Sequence, residues 1–135
     1  MKNSYSNIFT FNKKILNKTI EFLNNSNVVG LPTETVYGLG GNAYSKKSIK
    51  KIFQLKGRPK FNPLIIHYCN FKDVMKDVFI NKYFIKLYNK FCPGPITFIL
   101  KKKPNSKIHS LSLAKLSTVA IRFPKNKIVR SILKS

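Results

Sequence analysis

Polar side chains that could bind an anionic substrate are concentrated between Leu31 and His67 of this 135-residue chain. The segment offers hydroxyls, cations, an amide and an imidazole from Thr33, Thr35, Tyr37, Lys56, Arg58, Lys60, Asn62 and His67. Five of the 6 glycines and three of the 7 prolines lie in or beside it, which predicts a shaped polar loop between strands and a helix. Because no obvious nucleophile is present, we expect the loop to bind anions and orient polar substrates.

Arginine is rare in a chain that carries 26 lysines and arginines against 4 acidic residues. The arginines are Arg58, Arg122 and Arg130, and the first two stand in the sequences KGRP and IRFP. A guanidinium group binds a carboxylate or a phosphate through two parallel hydrogen bonds, which an ammonium group cannot do. We therefore predict that Arg58 and Arg122 are anion clamps.

The net charge of +22 favours a polyanionic partner, either RNA or the phosphates of a nucleotide. The lysines come with abundant asparagine, isoleucine and phenylalanine, however, and A+T-rich coding would produce that bias without selection for binding. Single residues are equally open to two interpretations. His67 could equally be a packed histidine at the end of a strand. Thr35 could be an ordinary strand residue, and Lys56 could be a cation that complements the C terminus of a helix.

Standard catalytic and metal-binding motifs are absent from the sequence. Residues 38–41 (GLGG) lack the GxGxxG spacing, no GK[ST] follows, and neither GxSxG nor HExxH occurs. Glu34 is the only carboxylate in the polar loop, which disfavours a mechanism that uses two carboxylates. The cysteines and histidines do not have a zinc-binding spacing, so we expect no protein-bound metal.

Hydrophobic periodicity predicts alternating helices and strands, and so a one-domain α/β fold over residues 1–135. Ser45 and Gly57 are predicted to begin and end the second helix. The apolar run at 64–67 is typical of a covered central strand, and 101–115 is predicted to be a loop. Helices are predicted at 15–24, 45–56, 71–78, 84–91 and 128–133, and strands at 28–31, 64–67, 96–100 and 118–121.

The sequence predicts a cytoplasmic protein. It has no run of about 18 apolar residues that would span a membrane. The N-terminal MKNSYSNIFTFNKK has neither the apolar region nor the cleavage site of a secretory leader. Cys69 and Cys92 are lone cysteines, which we interpret as reduced thiols.

The sequence PTETVYGLG followed by KGRPKFNPLIIH resembles the YrdC/Sua5/TsaC family of threonylcarbamoyl-AMP synthases. The similarity continues through PGPITFIL and TVAIRFP, and covers roughly Ile15 to Leu133. It implies a twisted mixed α/β sheet with flanking helices and a basic concave face. The implied reaction makes threonylcarbamoyl-AMP and pyrophosphate from L-threonine, bicarbonate or CO2, and ATP with Mg²⁺, for the t6A37 modification of tRNA. Implied partners are double-stranded RNA or tRNA and other proteins of the t6A pathway.

The resemblance also implies roles for single residues. L-Threonine would contact Thr35, His67 and Arg122, above a pocket floor shaped by Thr33 and Tyr37. ATP would contact Lys56, Arg58, Asn62 and Thr118, with Lys56 and Arg58 also stabilising the charge of the transition state. Asn126 stands where the family usually has a histidine in RxPxH.

Two other functions were considered. The family continues past the final helix into a segment with a Ser-x-Asn motif, so the resemblance implies that the YrdC-like domain of residues 1–135 is incomplete and lacks C-terminal strands. The first alternative is therefore a truncated, non-catalytic remnant that binds RNA or a nucleotide. The second, carbamoyl transfer in hydrogenase maturation, is disfavoured because the accessory acylphosphatase and zinc-finger regions are missing.

Overall fold

A computed structural model describes residues 7–135 as helices packed on two small sheets. The first residues of the N-terminal segment discussed above lie outside the described part. The helices are α1 (Lys13–Asn24), α2 (Lys46–Lys56), α3 (Phe71–Val74), α4 (Lys82–Phe91) and α5 (Lys127–Lys134). The strands are β1 (Val28–Pro32), β2 (Tyr37–Gly41), β3 (Ile65–His67), β4 (Thr97–Lys101) and β5 (Thr118–Arg122), and a short 3-10 turn covers Ser110–Leu113. The predicted mixed α/β architecture is confirmed.

Short polar residues begin the helices, as the sequence predicts for α2. The Ser45 side chain accepts a hydrogen bond from the Ser48 backbone N–H, which satisfies one of the free donors of the first turn. Gly57 ends α2 in the left-handed conformation at a φ of 56°, where a side chain would be strained. Asn126 caps α5 by accepting from the Ile128 and Val129 N–H groups.

The strands form two separate sheets among the described residues. β1 and β2 make an antiparallel hairpin, and the second sheet has the order β3-β5-β4, with β3 parallel and β4 antiparallel to β5. The core lies on one face of the second sheet, where the buried residues include Ile66, Phe98, Leu100, Val119 and Ile121. α4 covers this core with Phe84, whose ring centroid is 4.9 Å from that of Phe98.

Three predictions from the sequence are wrong. The helix predicted at 71–78 is the single turn Phe71–Val74. Within residues 7–135 the run 64–67 lies at the edge of its sheet rather than at the centre, because β3 pairs there only with β5, and Ile65 is 43% exposed. Part of the predicted polar loop is strand β2, which pairs with β1 across a four-residue turn. The β2 glycines serve close packing rather than a positive φ, since a Cβ on Gly41 would lie 2.7 Å from the Ser48 hydroxyl.

Asp77 is a buried carboxyl, 2% exposed, at the centre of a closed hydrogen-bond cluster. Its Oδ2 accepts from the hydroxyls of Tyr44 at 2.9 Å and Tyr68 at 2.7 Å, and its Oδ1 accepts from the Ser106 hydroxyl. Burial, followed by the bond to Asp77, raises the pKa of Tyr44 to about 12 and also raises the pKa of Tyr68. We call Tyr44, Tyr68, Asp77 and Ser106 the Asp77 cluster; it ties three loops to the end of β3.

None of the helices described is long and apolar enough to cross a membrane.

Candidate functional site

Three polar side chains lie side by side at one end of the second sheet. The register pairs His67 of β3 with Arg122 of β5, and Arg122 with Thr97 of β4. Paired residues on adjacent strands project from the same face, so the three side chains form a line across the sheet. We call His67, Arg122 and Thr97 the polar row.

The polar row belongs to the face of the sheet that the core does not cover. Along β5 the side chains of Val119 and Ile121 are fully buried, whereas Thr118 and Arg122 alternate with them and point the other way. The neighbouring strand carries Ile99 on the same face, and it is 63% exposed. We call this side of the sheet the open face; its middle residue on β5, Ala120, is only 9% exposed, whereas Thr118 and Arg122 at its two ends are partly exposed.

Arg122 is held in place by Thr97. Its Nε and Nη2 donate to the Thr97 hydroxyl oxygen at 3.0 and 2.8 Å. A guanidinium group has five N–H donors, so three remain without a partner among the described residues. Arg122 is thus oriented by the sheet and still able to bind an anion.

The hairpin turn lies against the end of the polar row. Thr33 shapes the turn, because its hydroxyl oxygen accepts from the Thr35 and Val36 N–H groups at 3.3 and 3.2 Å. Glu34 fastens the turn to the segment after β5, accepting at 2.6 Å from the N–H of Lys125. Thr35, at the exposed tip, is thereby brought to the end of β5 at which Arg122 stands.

Charges at this end of the sheet act on two titratable groups. Burial, followed by the charge of Arg122, lowers the pKa of His67 from 6.5, while Glu34 opposes that effect. Partial burial alone would raise the pKa of Glu34, but the Lys125 hydrogen bond and Arg122 outweigh it and hold this pKa below 4.5. At neutral pH the site therefore contains a neutral imidazole, a carboxylate and a guanidinium.

A second group of predicted residues lies at the opposite end of β5. Arg58 donates from Nε to the Asn62 carbonyl at 3.3 Å and from Nη2 to the Pro63 carbonyl at 2.8 Å. The parallel pairing of β3 with β5 begins at Ile65, opposite Ala120, and the Leu64 N–H donates to the Ser112 carbonyl at 2.8 Å instead of to β5. Arg58 therefore braces the loop before β3 and, like Arg122, keeps three N–H donors.

The predicted residues thus divide between the two ends of one strand. Thr118 and Arg122 are four residues apart on the open face, or roughly 13 Å at the usual strand rise. One end has Thr35, His67 and Arg122; Thr118 stands at the other end, where the loop that carries Arg58 and Asn62 leads into β3. Lys56 is exposed in the last turn of α2, two residues before Arg58.

Two further residues, Thr97 and Glu34, have roles here that the sequence does not assign to them. Thr97 was predicted only as part of a strand, and its role appears only when the register sets it beside Arg122. Glu34 was noted as a lone carboxylate, but its partner Lys125 is 91 residues away. Tyr37 is 80% exposed, and the role in the pocket floor that the resemblance implies for it stays a prediction.

The residues present do not fit a resident metal ion. No cluster of three or more histidine, cysteine, aspartate or glutamate side chains occurs within residues 7–135 that could hold one. The donors at both ends of the open face are cationic or neutral, apart from Glu34, and such groups bind anions instead.

Comparison with known proteins gives several matches. The family model Sua5_yciO_yrdC, described as telomere recombination, matches residues 21–135. A threonylcarbamoyl-AMP synthase of Pyrococcus abyssi is 38% identical over 115 residues, which are 83% of this chain and 33% of that protein. The Bacillus subtilis threonylcarbamoyl-AMP synthase is 39% identical over 114 residues, covering 83% of this chain and 32% of that one. The chain thus spans about a third of the length of these relatives.

Solved structures show the same fold. The crystal structure of P. abyssi Sua5 complexed with L-threonine matches with a TM-score of 0.87 and 34% identity, over 93% of this chain and 37% of that one. Escherichia coli YciO matches with a TM-score of 0.81 and 21% identity, over 93% of this chain and 60% of that one, and its likeness concerns the fold alone.

Proposed function

Since the chain belongs to the Sua5/YciO/YrdC family, as its sequence motifs predicted, we propose that it makes threonylcarbamoyl-AMP. The substrates are L-threonine, bicarbonate or CO2, and ATP, and the second product is pyrophosphate. The product serves the t6A37 modification of tRNA, so other proteins of that pathway are proposed as partners. A relative that is 34% identical over most of this chain has been solved with L-threonine bound, which supports this substrate.

The observation that carries the proposal is the meeting of Arg122, His67 and the hairpin tip at one end of the open face. We assign the amino-acid substrate to this end. Arg122 binds the carboxylate of L-threonine through its unused N–H donors, because a guanidinium matches a carboxylate in shape and charge. Thr35 and His67 supply polar contacts to the rest of the substrate, and a neutral imidazole adds no competing charge.

ATP is assigned to the other end of β5. Arg58 and Lys56 neutralise the phosphates, and their charge is most valuable as negative charge builds up on the departing pyrophosphate. Asn62 and Thr118, whose side chains are uncharged, form hydrogen bonds with the nucleotide. Mg²⁺ enters as part of the MgATP substrate rather than on protein ligands, in keeping with the cationic character of the site.

The chemistry proceeds by positioning. The amine of L-threonine adds to CO2 and loses a proton, which gives a carbamate. A carbamate oxygen then bonds to the α-phosphorus of ATP as the bond from that phosphorus to the bridging oxygen of pyrophosphate breaks. No protein nucleophile is required, and the two ends of the open face need only hold both substrates in line.

The proposal is tested by measuring pyrophosphate release from MgATP by the purified chain, with bicarbonate present and L-threonine varied. We expect release to depend on L-threonine and to yield threonylcarbamoyl-AMP, identified by mass. Release that needs carbamoyl phosphate instead would favour the carbamoyl-transfer alternative. Absence of L-threonine binding and of release would leave the non-catalytic alternative.

RNA is proposed as a further partner because the chain carries a net charge of +22. Binding that rests on lysine contacts to phosphate releases counterions, so the affinity for duplex RNA should fall steeply as salt rises. L-Threonine binding in a pocket should change far less. An RNA affinity that stays constant with salt would contradict binding through the lysines.

We also propose that the protein works in the cytoplasm, where its tRNA substrate pathway operates and where Cys69 and Cys92 would stay reduced. Fractionation of cells that express the tagged chain tests this location. Recovery in the membrane or secreted fraction would contradict it.

A further inference from the structure

The hydroxyl proton of Thr97 has no hydrogen-bond acceptor among the described residues. A threonine hydroxyl has two acceptor lone pairs and one donor. Arg122 uses both lone pairs, through Nε at 3.0 Å and Nη2 at 2.8 Å. No acceptor for the hydroxyl proton lies within hydrogen-bond reach among residues 7–135. The O–H therefore remains free to donate, while both lone pairs are taken by Arg122.

The position of Thr97 directs this free donor toward the substrate end of the open face. Thr97 is the direct cross-strand partner of Arg122, so its hydroxyl stands beside the guanidinium and on the same face. The side chain is half-buried. Two hydrogen bonds received from a cation polarise the hydroxyl and make it a stronger donor.

We propose that Thr97 is a ligand-binding residue that donates its hydroxyl proton to the carboxylate of L-threonine while it holds the Arg122 guanidinium. The inference rests on the proposed function, because it assumes that the anion bound by Arg122 is that carboxylate. Thr97 and Arg122 then form a two-residue clamp with neutral and charged donors side by side. A substrate analogue without a carboxylate gains nothing from either.

The test measures the binding of L-threonine and L-threoninol, whose carboxylate is replaced by CH2OH, by calorimetry. Thr97→Val removes the hydroxyl and keeps the branched shape, and Thr97→Ser keeps the hydroxyl. We expect Thr97→Val to weaken L-threonine binding at least tenfold, the scale for a lost hydrogen bond to a charged group. Thr97→Ser should bind L-threonine with an affinity within about threefold of that of the unmodified chain. L-Threoninol should bind equally to the unmodified chain and to both variants.

Two controls separate this role from a general effect on the fold. Thr19→Val removes a hydroxyl that bonds to the Ile15 carbonyl within α1, and should leave both ligands unaffected. Thr97→Ala provides a second protein without the hydroxyl if Thr97→Val does not fold. Thermal unfolding shows which variants are folded before they are titrated.

The outcomes distinguish the inference from the function on which it rests. Equal weakening of L-threonine and L-threoninol by Thr97→Val would reduce Thr97 to a structural residue and overturn the inference. Unchanged binding of both ligands would overturn it as well and leave the proposed function standing. Failure of the unmodified chain to bind L-threonine would overturn both.

Discussion

The Asp77 cluster, which lies in loops beside the second sheet, and the polar row, which lies on the sheet, use their hydrogen bonds differently. In the cluster three hydroxyls converge on one buried carboxyl, and each donor has its acceptor inside the chain. In the polar row Arg122 donates two of its five N–H groups to Thr97, and the other three have no partner among the described residues. A closed cluster can only stabilise the fold, whereas an open one can bind a ligand.

Burial follows the same division. Asp77 is 2% exposed, and its carboxyl oxygens are already bonded to three hydroxyls of the chain. Arg122 lies half-buried on the open face, where the sheet fixes its direction and solvent can still reach it. The comparison predicts that changes to the cluster reduce stability, and that changes to the polar row reduce binding.

The largest expected effect is the loss of stability in Asp77→Ala. The change leaves the hydroxyl of Tyr68, which is 6% exposed, without its acceptor, and an unpaired buried polar group costs about 1–3 kcal/mol. Tyr44 and Ser106 are more exposed and can turn to water, so each of their lost hydrogen bonds costs about 0.5–1.5 kcal/mol. We expect the free energy of unfolding, measured in urea, to fall by about 3 kcal/mol or more.

Asp73→Ala is the matched control, because Asp73 makes an exposed ion pair with Lys76 at 3.0 Å. An exposed pair of this kind should contribute less than about 1 kcal/mol. Equal losses in the two variants would remove the distinction between the closed cluster and the surface.

A smaller effect, on binding rather than stability, is expected for Arg122→Lys. Lysine cannot form two parallel hydrogen bonds with a carboxylate, so L-threonine binding should weaken by roughly 1–3 kcal/mol, or about tenfold to a hundredfold. The urea midpoint should move little. Arg130→Lys is the control, since Arg130 makes a single long bond of 3.3 Å to the Pro124 carbonyl. Equal, negligible effects of both changes would contradict the clamp.

The hairpin turn should respond to the loss of its fastening. Glu34→Ala removes the acceptor for the Lys125 N–H, whereas Glu34→Gln keeps an oxygen at the same place. We expect Glu34→Ala to cost about 1 kcal/mol in L-threonine affinity, because Thr35 is then less firmly held, and Glu34→Gln to cost less. Calorimetric titration measures both. An equal loss in the two variants would show that the charge of Glu34, which both variants remove, matters and the hydrogen bond does not.

The smallest expected effect is a dependence of stability on pH that comes from His67. Its folded-state pKa is lowered by burial and by Arg122, so the unfolded chain takes up a proton first as the pH falls. The free energy of unfolding should be highest above pH 6.5 and should decline as the pH falls through that value. Urea titrations from pH 8 to 5 should show a weaker decline in His67→Gln. An identical slope in the two proteins would contradict a lowered pKa.

The elements with local signals were predictable from sequence. Ser45 and Gly57 bound α2 as predicted, because capping and the left-handed turn depend on neighbouring residues only. β2 was missed because glycines conceal the alternation of a strand, and its pairing with β1 becomes visible only in three dimensions. The exposed edge of β3 was missed for a similar reason, since an apolar run does not show which strands lie beside it.

The site was predictable in its residues but not in its arrangement. The motifs selected Arg58 and Arg122, yet their separation along β5 depends on the parallel register of β3 and β5. Thr97 and Glu34 contribute through partners 25 and 91 residues away. Hydrogen bonds between residues so far apart in the sequence cannot be predicted from a local sequence pattern.

The central claim is that the two ends of β5 bind different substrates, and the most direct test titrates L-threonine and ATP separately into Arg122→Lys and Arg58→Lys. We predict that Arg122→Lys weakens L-threonine binding at least tenfold and ATP binding by less than about threefold, and that Arg58→Lys does the reverse. Equal weakening of both ligands in both variants, or of neither ligand in either variant, would contradict the account.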